Sequence, residues 1–189
     1  MKLPFKINFN KKKESVFFHE DFYKMKELLP EENYFATNKY ISDLPNENSN
    51  EYGYTNINII SKQPIQLKEN KISFKDVEDL LNPISLSFFN KVESGFGNTT
   101  YVKSNTVVWG FERFGIFVEF QNNSIQNIWL CESHLFSTSN NGYQLQKALN
   151  LIGKNYKLIL ADWDKGIVIR ISSLSSLKKY LTNELMFEN

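Results

Sequence analysis

Four side chains in the middle of the chain could do chemistry together: Glu112, Glu119, Glu132 and His134. Glu112 and Glu119 flank a turn at residues 113–115. On paired strands they would form two facing carboxylates, the arrangement that general acid–base work on a nucleic acid or a glycoside requires. The simpler reading is a cross-strand ion pair with Arg113 beside the turn. Glu132 and His134 are two residues apart and share one face of a continuing strand. With Glu119 from a neighbouring strand they would make a carboxylate–histidine metal site, or else a solvated strand edge. Cys131 lies three residues from His134, a spacing that does not by itself bring thiolate and imidazole together, so a buried structural thiol is expected. Ser133 precedes His134, but neighbours on a strand point to opposite faces and form no triad.

Other chemistries lack their motifs. No Gly-x-Ser-x-Gly, His-Glu-x-x-His, calcium loop or Walker loop occurs. Gly95-Phe96-Gly97 lacks the third glycine and the following helix of a dinucleotide fingerprint. The expectation is therefore no catalytic residue, no metal and no cofactor. What does stand out is Asp162-Trp163-Asp164 at a hairpin tip. Turn chemistry does not require a large aromatic between two acids. Tryptophan is enriched where proteins bind each other, and acids beside it suit a basic partner surface. Asp162, Trp163 and Asp164 are the candidate partner-binding residues, with Trp163 folded onto the core and the acids merely solvating the turn as the alternative. The irregular segment carrying Tyr34, Phe35, Tyr40, Tyr52 and Tyr54 is a second candidate surface.

These residues must be positioned by a fold, and the pattern favours a sheet. The chain has 189 residues, 41% hydrophobic and 23% charged, enough for one domain with its own core. Aromatics reach 15%, with 16 Phe and 9 Tyr, which favours sheet surfaces. Abundant Asn and Lys beside Ile, Phe and Tyr also mark an AT-rich coding genome. Net charge is +1, from 22 basic and 21 acidic residues, so there is no overall basic excess of the kind a nucleic-acid binder shows. One cysteine excludes an internal disulfide and a cysteine-rich zinc site, and fits a reducing cytoplasm. The first residues lack the apolar core of a signal peptide, and no run approaches a membrane span.

Period-two alternation predicts strands at residues 5–9, with a hairpin partner at 16–18, and at residues 55–60 and 84–92. A short strand is expected near residues 65–67 and a turn over residues 93–98. The clearest region is residues 107–111, 115–120 and 125–130, three runs joined by short turns and hence an antiparallel meander. Residues 158–160 and 167–171 make a last hairpin. Helical spacing predicts helices at residues 20–29, from Ser73 to before Pro83, around Leu145, Ala148, Leu149 and Ile152 with Gly153 as its stop, and at residues 173–186. Residues 30–51 show no clean period. The fold class is α+β: a single domain over residues 1–189, with an antiparallel sheet of five to seven strands and three to four packed helices.

A full core without recognisable catalytic machinery points to a protein that works through its surface. In organisation the chain resembles the immunity proteins that neutralise polymorphic or contact-delivered bacterial toxins. The resemblance lies in the central meander, the hairpin around Asp162-Trp163-Asp164 and the terminal helix. It implies a cytoplasmic antitoxin, monomeric when free, that binds a cognate protein toxin and occludes its active site, with no membrane or nucleic-acid partner. An enzyme using Glu112, Glu119, Glu132 and His134, or a non-catalytic subunit of a larger assembly, is the alternative.

Overall fold

A computed structural model describes residues 8–10, 15–43, 49–50, 53–54, 65–96, 99–111, 114–132 and 140–182. Its strands are β1 (Asn8–Asn10), β2 (Ser15–His19), β3 (Lys26–Pro30), β4 (Ser49–Asn50), β5 (Gly53–Tyr54), β6 (Ser87–Phe89), β7 (Lys91–Phe96), β8 (Thr99–Val102), β9 (Thr106–Phe111), β10 (Phe114–Gln121), β11 (Ser124–Glu132), β12 (Leu158–Asp162) and β13 (Ile167–Arg170). The helices are α1 (Tyr34–Ser42), α2 (Phe74–Leu81), α3 (Asn140–Tyr156) and α4 (Leu174–Leu181). The fold is α+β. Seven strands form one antiparallel sheet in the order β13-β12-β3-β11-β10-β9-β6, and β1-β2-β7-β8 form a second, mixed sheet.

The expected meander is β9–β10–β11. Ile116 pairs with Trp109 on one side and Leu130 on the other, and Phe117 with Val108 and Trp129. Asn122 and Asn123 both take positive φ (49° and 62°), the left-handed pair that a two-residue hairpin turn requires. Alternation then divides the core. Trp109, Ile116, Leu130, Leu160 and Ile169 face α2, α3 and α4 in one large cluster. Val108, Phe117, Trp129 and Cys131 face the mixed sheet through Val16, Phe18 and Val92. Leu29, Ile159, Ala161 and Val168 lie under α1. Both faces of the large sheet are thus covered.

α2 begins as its sequence dictates: Ser73 Oγ accepts from Asp76 N at 3.0 Å. α3 does not stop at Gly153 but continues to Tyr156, and Lys157 turns with φ +51°. Gly153 is needed for contact instead. A Cβ there would meet Ile171 Cγ1 at 2.6 Å and Ser172 N at 2.7 Å. Asn150 Nδ2 donates to the carbonyls of Ile171 (3.0 Å) and Ser172 (2.9 Å), locking helix to chain at this crossing.

Other expectations are corrected. Residues 20–29 do not form a helix. They form a single 3-10 turn at Glu20–Phe22 and then β3, with Lys24 at φ +58° between them. β3 inserts between β12 and β11 and is covered on both faces, so Leu28 and Leu29 serve opposite cores. A strand covered on both faces shows an apolar run that mimics a helix stripe. The expected strand at 84–92 divides at Asn90, with β6 in the large sheet and β7 in the mixed one. β7 continues to Phe96 where a turn was expected. Near residue 67 a 3-10 turn, Leu67–Asn70, replaces a strand. α1 arises where no period was read, because its inward side includes a polar Thr37 beside Tyr34 and Ile41. The expected strand at 55–60, residues 5–7 of the first strand, and the last residues of the closing helix lie outside the described residues.

Candidate functional site

The hairpin β12–β13 carries the Asp162-Trp163-Asp164 motif, and strand alternation splits it. Asp162 points to the α4 side and is fully buried. Tyr180 Oη of α4 donates to its Oδ2 at 2.6 Å, Lys165 N to its Oδ1 at 3.1 Å, and Lys26 Nζ lies 3.9 Å away. The expectation of two exposed acids is therefore corrected for Asp162, whose carboxylate is held inside the fold. Asp164 is exposed, with Lys26 Nζ also 3.9 Å from its Oδ2.

Trp163 turns to the opposite side. Its backbone N donates to Met25 O at 2.9 Å, extending the β3–β12 pairing by one residue. Its indole Nε1 donates to Glu27 Oε1 at 3.0 Å. Burial raises the Glu27 carboxyl above its ordinary range, against the opposing pull of Lys24 and of the Trp163 N–H. The indole packs with Tyr34 and Ile41 on the cluster beneath α1, and its ring meets Tyr40 edge-on at 6.3 Å. The tertiary structure thus joins the two candidate surfaces, the hairpin tip and the tyrosine-rich segment. Tyr52 is not among the described residues, and only the backbone of Tyr54 is.

α1 presents Phe35 outward with 77% of its surface exposed. Its ring contacts Tyr34 at 5.4 Å, and the Arg170 guanidinium lies 3.7 Å from the Tyr34 ring centre while Nε donates to Glu31 at 2.9 Å. Tyr34, Phe35, Tyr40, Trp163 and Arg170 therefore form one aromatic surface with a charged margin, whereas exposed Asp164 lies beside Lys26 with Asp162. Sequence reading named the aromatics but missed the helix that arranges them. The inward spacing of Tyr34, Thr37 and Ile41 was the available signal.

Of the acid–histidine group, only Glu119 and the backbone of Glu132 fall among the described residues, and these two are not brought together. Glu112 and His134 lie outside the described residues, as does the side chain of Glu132. Glu119 pairs with Asn127, whereas Glu132 pairs with Phe114 at the other end of the same ladder. Five residues of strand separate the two positions, roughly 17 Å at about 3.4 Å each. Glu119 instead accepts from Asn127 Nδ2 (2.6 Å) and Tyr23 Oη (3.1 Å), and Lys24 Nζ donates to Asn127 Oδ1 (2.6 Å). Burial and the Glu119 carboxylate push the Tyr23 phenol up. Cys131 is buried against the mixed sheet. No cluster of three His, Cys, Asp or Glu fit to hold a metal occurs among the described residues.

β3 and β11 pair only through Glu27–Trp129 and Lys26–Leu130, then part around a cleft of about 420 Å³ lined by Lys24, Glu27, Gln66, Lys68, Gln126 and Asn127. Several of these polar groups already bond to neighbours in the fold. At the edge of the mixed sheet, Phe96, Tyr101 and Val102 are more than half exposed. Among the described residues no helix is long and apolar enough to cross a membrane.

The fold and site define a sheet-centred α+β protein with an aromatic surface built from α1 and the β12–β13 hairpin. No protein-family model, curated protein or solved structure matches the chain.

Proposed function

We propose that this chain is a protein-binding antitoxin, an immunity protein that neutralises a cognate bacterial toxin by occluding its active site. The observation that carries the reading is the exposed Phe35 on α1, continuous with Tyr34, Tyr40 and Trp163. A large exposed aromatic costs solvation in the free protein and gains most when a partner covers it. Trp, Tyr and Arg together supply the residue types that dominate binding energy. Asp164 at the rim meets a Lys or Arg of the partner and speeds encounter. Trp163 anchors the surface from below rather than reaching out, because its indole is bonded to Glu27. Neutralisation is then steric and electrostatic, with a complex of ordinary size burying on the order of 1,600 Å².

The test is capture from the native host, followed by expression of each captured protein alone. The expected result is one captured protein that arrests growth alone and is harmless with this chain. The double variant Phe35→Ala, Asp164→Ala keeps the fold and loses the rescue. If no captured protein is toxic, or the double variant rescues as well as wild type, the reading is wrong.

A further inference from the structure

β13 ends the large sheet, and its outward backbone can be deduced from the register. Trp163 N donates to Met25 O, so residues 163 and 25 form a hydrogen-bonded pair. Such pairs alternate along an antiparallel ladder. Leu29–Ile159 and Glu27–Ala161 are therefore bonded pairs between β3 and β12. Leu158, Leu160 and Asp162 then bond on their other side, where Leu160 meets Ile169 and Asp162 meets Ile167. Val168 and Arg170 must present their N–H and C=O outward. The Arg170 carbonyl agrees, since it accepts from Ser173 N at 3.0 Å, outside the ladder. The N–H and C=O of Val168 and the N–H of Arg170 have no hydrogen-bond partner among the described residues.

This edge does not lie on an open surface. It runs along a groove of about 490 Å³ lined by Tyr34 of α1 and by Ser173, Ser176 and Lys179 at α4. Val168 and Ile169 are buried to either side, so the edge offers backbone where β8 offers side chains. The charged residues lining the groove are Lys179 and Arg170, both basic, the latter with its Nε already bonded to Glu31. Tyr34 and Arg170 also belong to the aromatic surface described above, so the groove continues it.

We propose that β13 is the docking edge for an extended, acidic segment of the protein partner, which adds as an eighth strand. The proposal rests on the reading of the chain as a protein-binding domain. A residue placed opposite Val168 points its side chain toward α1, and its two neighbours point toward α4. Acidic side chains at those neighbouring positions meet Lys179 and the hydroxyls of Ser173 and Ser176. A second copy of this chain is the poorer occupant, because edge-to-edge pairing would bring two basic linings together. Strand addition draws its affinity from main-chain bonds and its specificity from alternate side chains, which a partner could combine with the aromatic surface.

The test uses the full chain, labelled with ¹⁵N, and two capped peptides in which valine alternates with glutamate or with lysine. At saturation the glutamate peptide is expected to slow hydrogen exchange at the Val168 and Arg170 amides by roughly tenfold or more, and the lysine peptide to leave them unchanged. Lys179→Glu reverses the preference. Val168→Pro removes the outward N–H without a ladder bond, a change that edge strands tolerate, and abolishes peptide binding while the amide spectrum stays dispersed. Equal binding of the two peptides, or unchanged exchange at both amides, overturns the proposal. Should the peptides fail while Phe35→Ala, Asp164→Ala still loses toxin rescue, the edge is rejected and the antitoxin reading stands. Should the glutamate peptide bind as stated and no toxic partner emerge, the edge stands and the antitoxin reading falls.

Discussion

The two sides of the β12–β13 hairpin use the same short motif for opposite ends. On the α4 side, Asp162 is sealed from water and bonded to Tyr180, Lys165 and, at longer range, Lys26. On the α1 side, Trp163 is half-buried and bonded to Glu27, and Phe35 stands in solvent. One residue of register separates an acid that serves the fold from an indole that serves a surface. Charge and aromaticity in a sequence motif therefore mark no binding site until the strand's facing is known.

The largest effect is expected on the sealed side. Asp162→Ala removes the buried carboxylate that accepts from Tyr180 Oη and is one of two lying 3.9 Å from Lys26 Nζ. Removing one partner of a buried ion pair costs about 3 kcal/mol or more. Urea unfolding should show it as a lower midpoint with an unchanged slope. A loss near zero would mean that water reaches Lys26 and that the two sides differ less than their burial implies.

Trp163→Phe comes next. It keeps the ring packing but removes the donor to the part-buried Glu27, a hydrogen bond to a charged group worth about 1 kcal/mol where solvent can partly replace it. The same variant should raise the Glu27 carboxyl further, because the N–H favours its charged form. A ¹³C carboxyl titration would read this directly.

Glu27→Gln sharpens the contrast through pH. The folded state holds the Glu27 proton more tightly than the unfolded chain does, chiefly through burial. Stability from this group is therefore complete at low pH and declines as pH rises from the ordinary glutamate value through the raised one. Glutamine still accepts from Trp163 and carries no charge to desolvate. Its melting temperature should exceed wild type at pH 7, and the difference should shrink toward pH 4.

The smallest effects belong to the exposed side. Asp164→Ala and Phe35→Ala should each change stability by no more than about 0.5 kcal/mol, since neither is buried. Their effect should appear only in partner binding. Differential scanning calorimetry would separate this side from the other by its silence.

Much of the fold follows from local pattern. The meander β9–β11 alternates cleanly because each face packs on a different core, and Asn122-Asn123 dictates its turn. Ser73 and Asp76 start α2 through a cap that needs only neighbours in sequence. The composition and the single cysteine likewise set the size of the core and excluded a disulfide. β3 was illegible because Leu28 and Leu29 satisfy helix spacing, and only insertion between β12 and β11 sends them to opposite faces. α1 was illegible because its inward side carries Thr37, and the sheet beneath it stabilises a segment whose own pattern is weak. At the site, the sequence supplied Asp162, Trp163 and Asp164 as types, but the partners that divide their roles, Lys26, Glu27 and Tyr180, stand 18 to 136 residues away. Glu119 and Glu132 part for the matching reason: residues near in sequence on a long hairpin ladder are carried to its opposite ends. Side-chain type and local spacing are written in the chain, whereas facing, burial and long-range pairing depend on which strands become neighbours, and that is settled only when the whole sheet closes its cores.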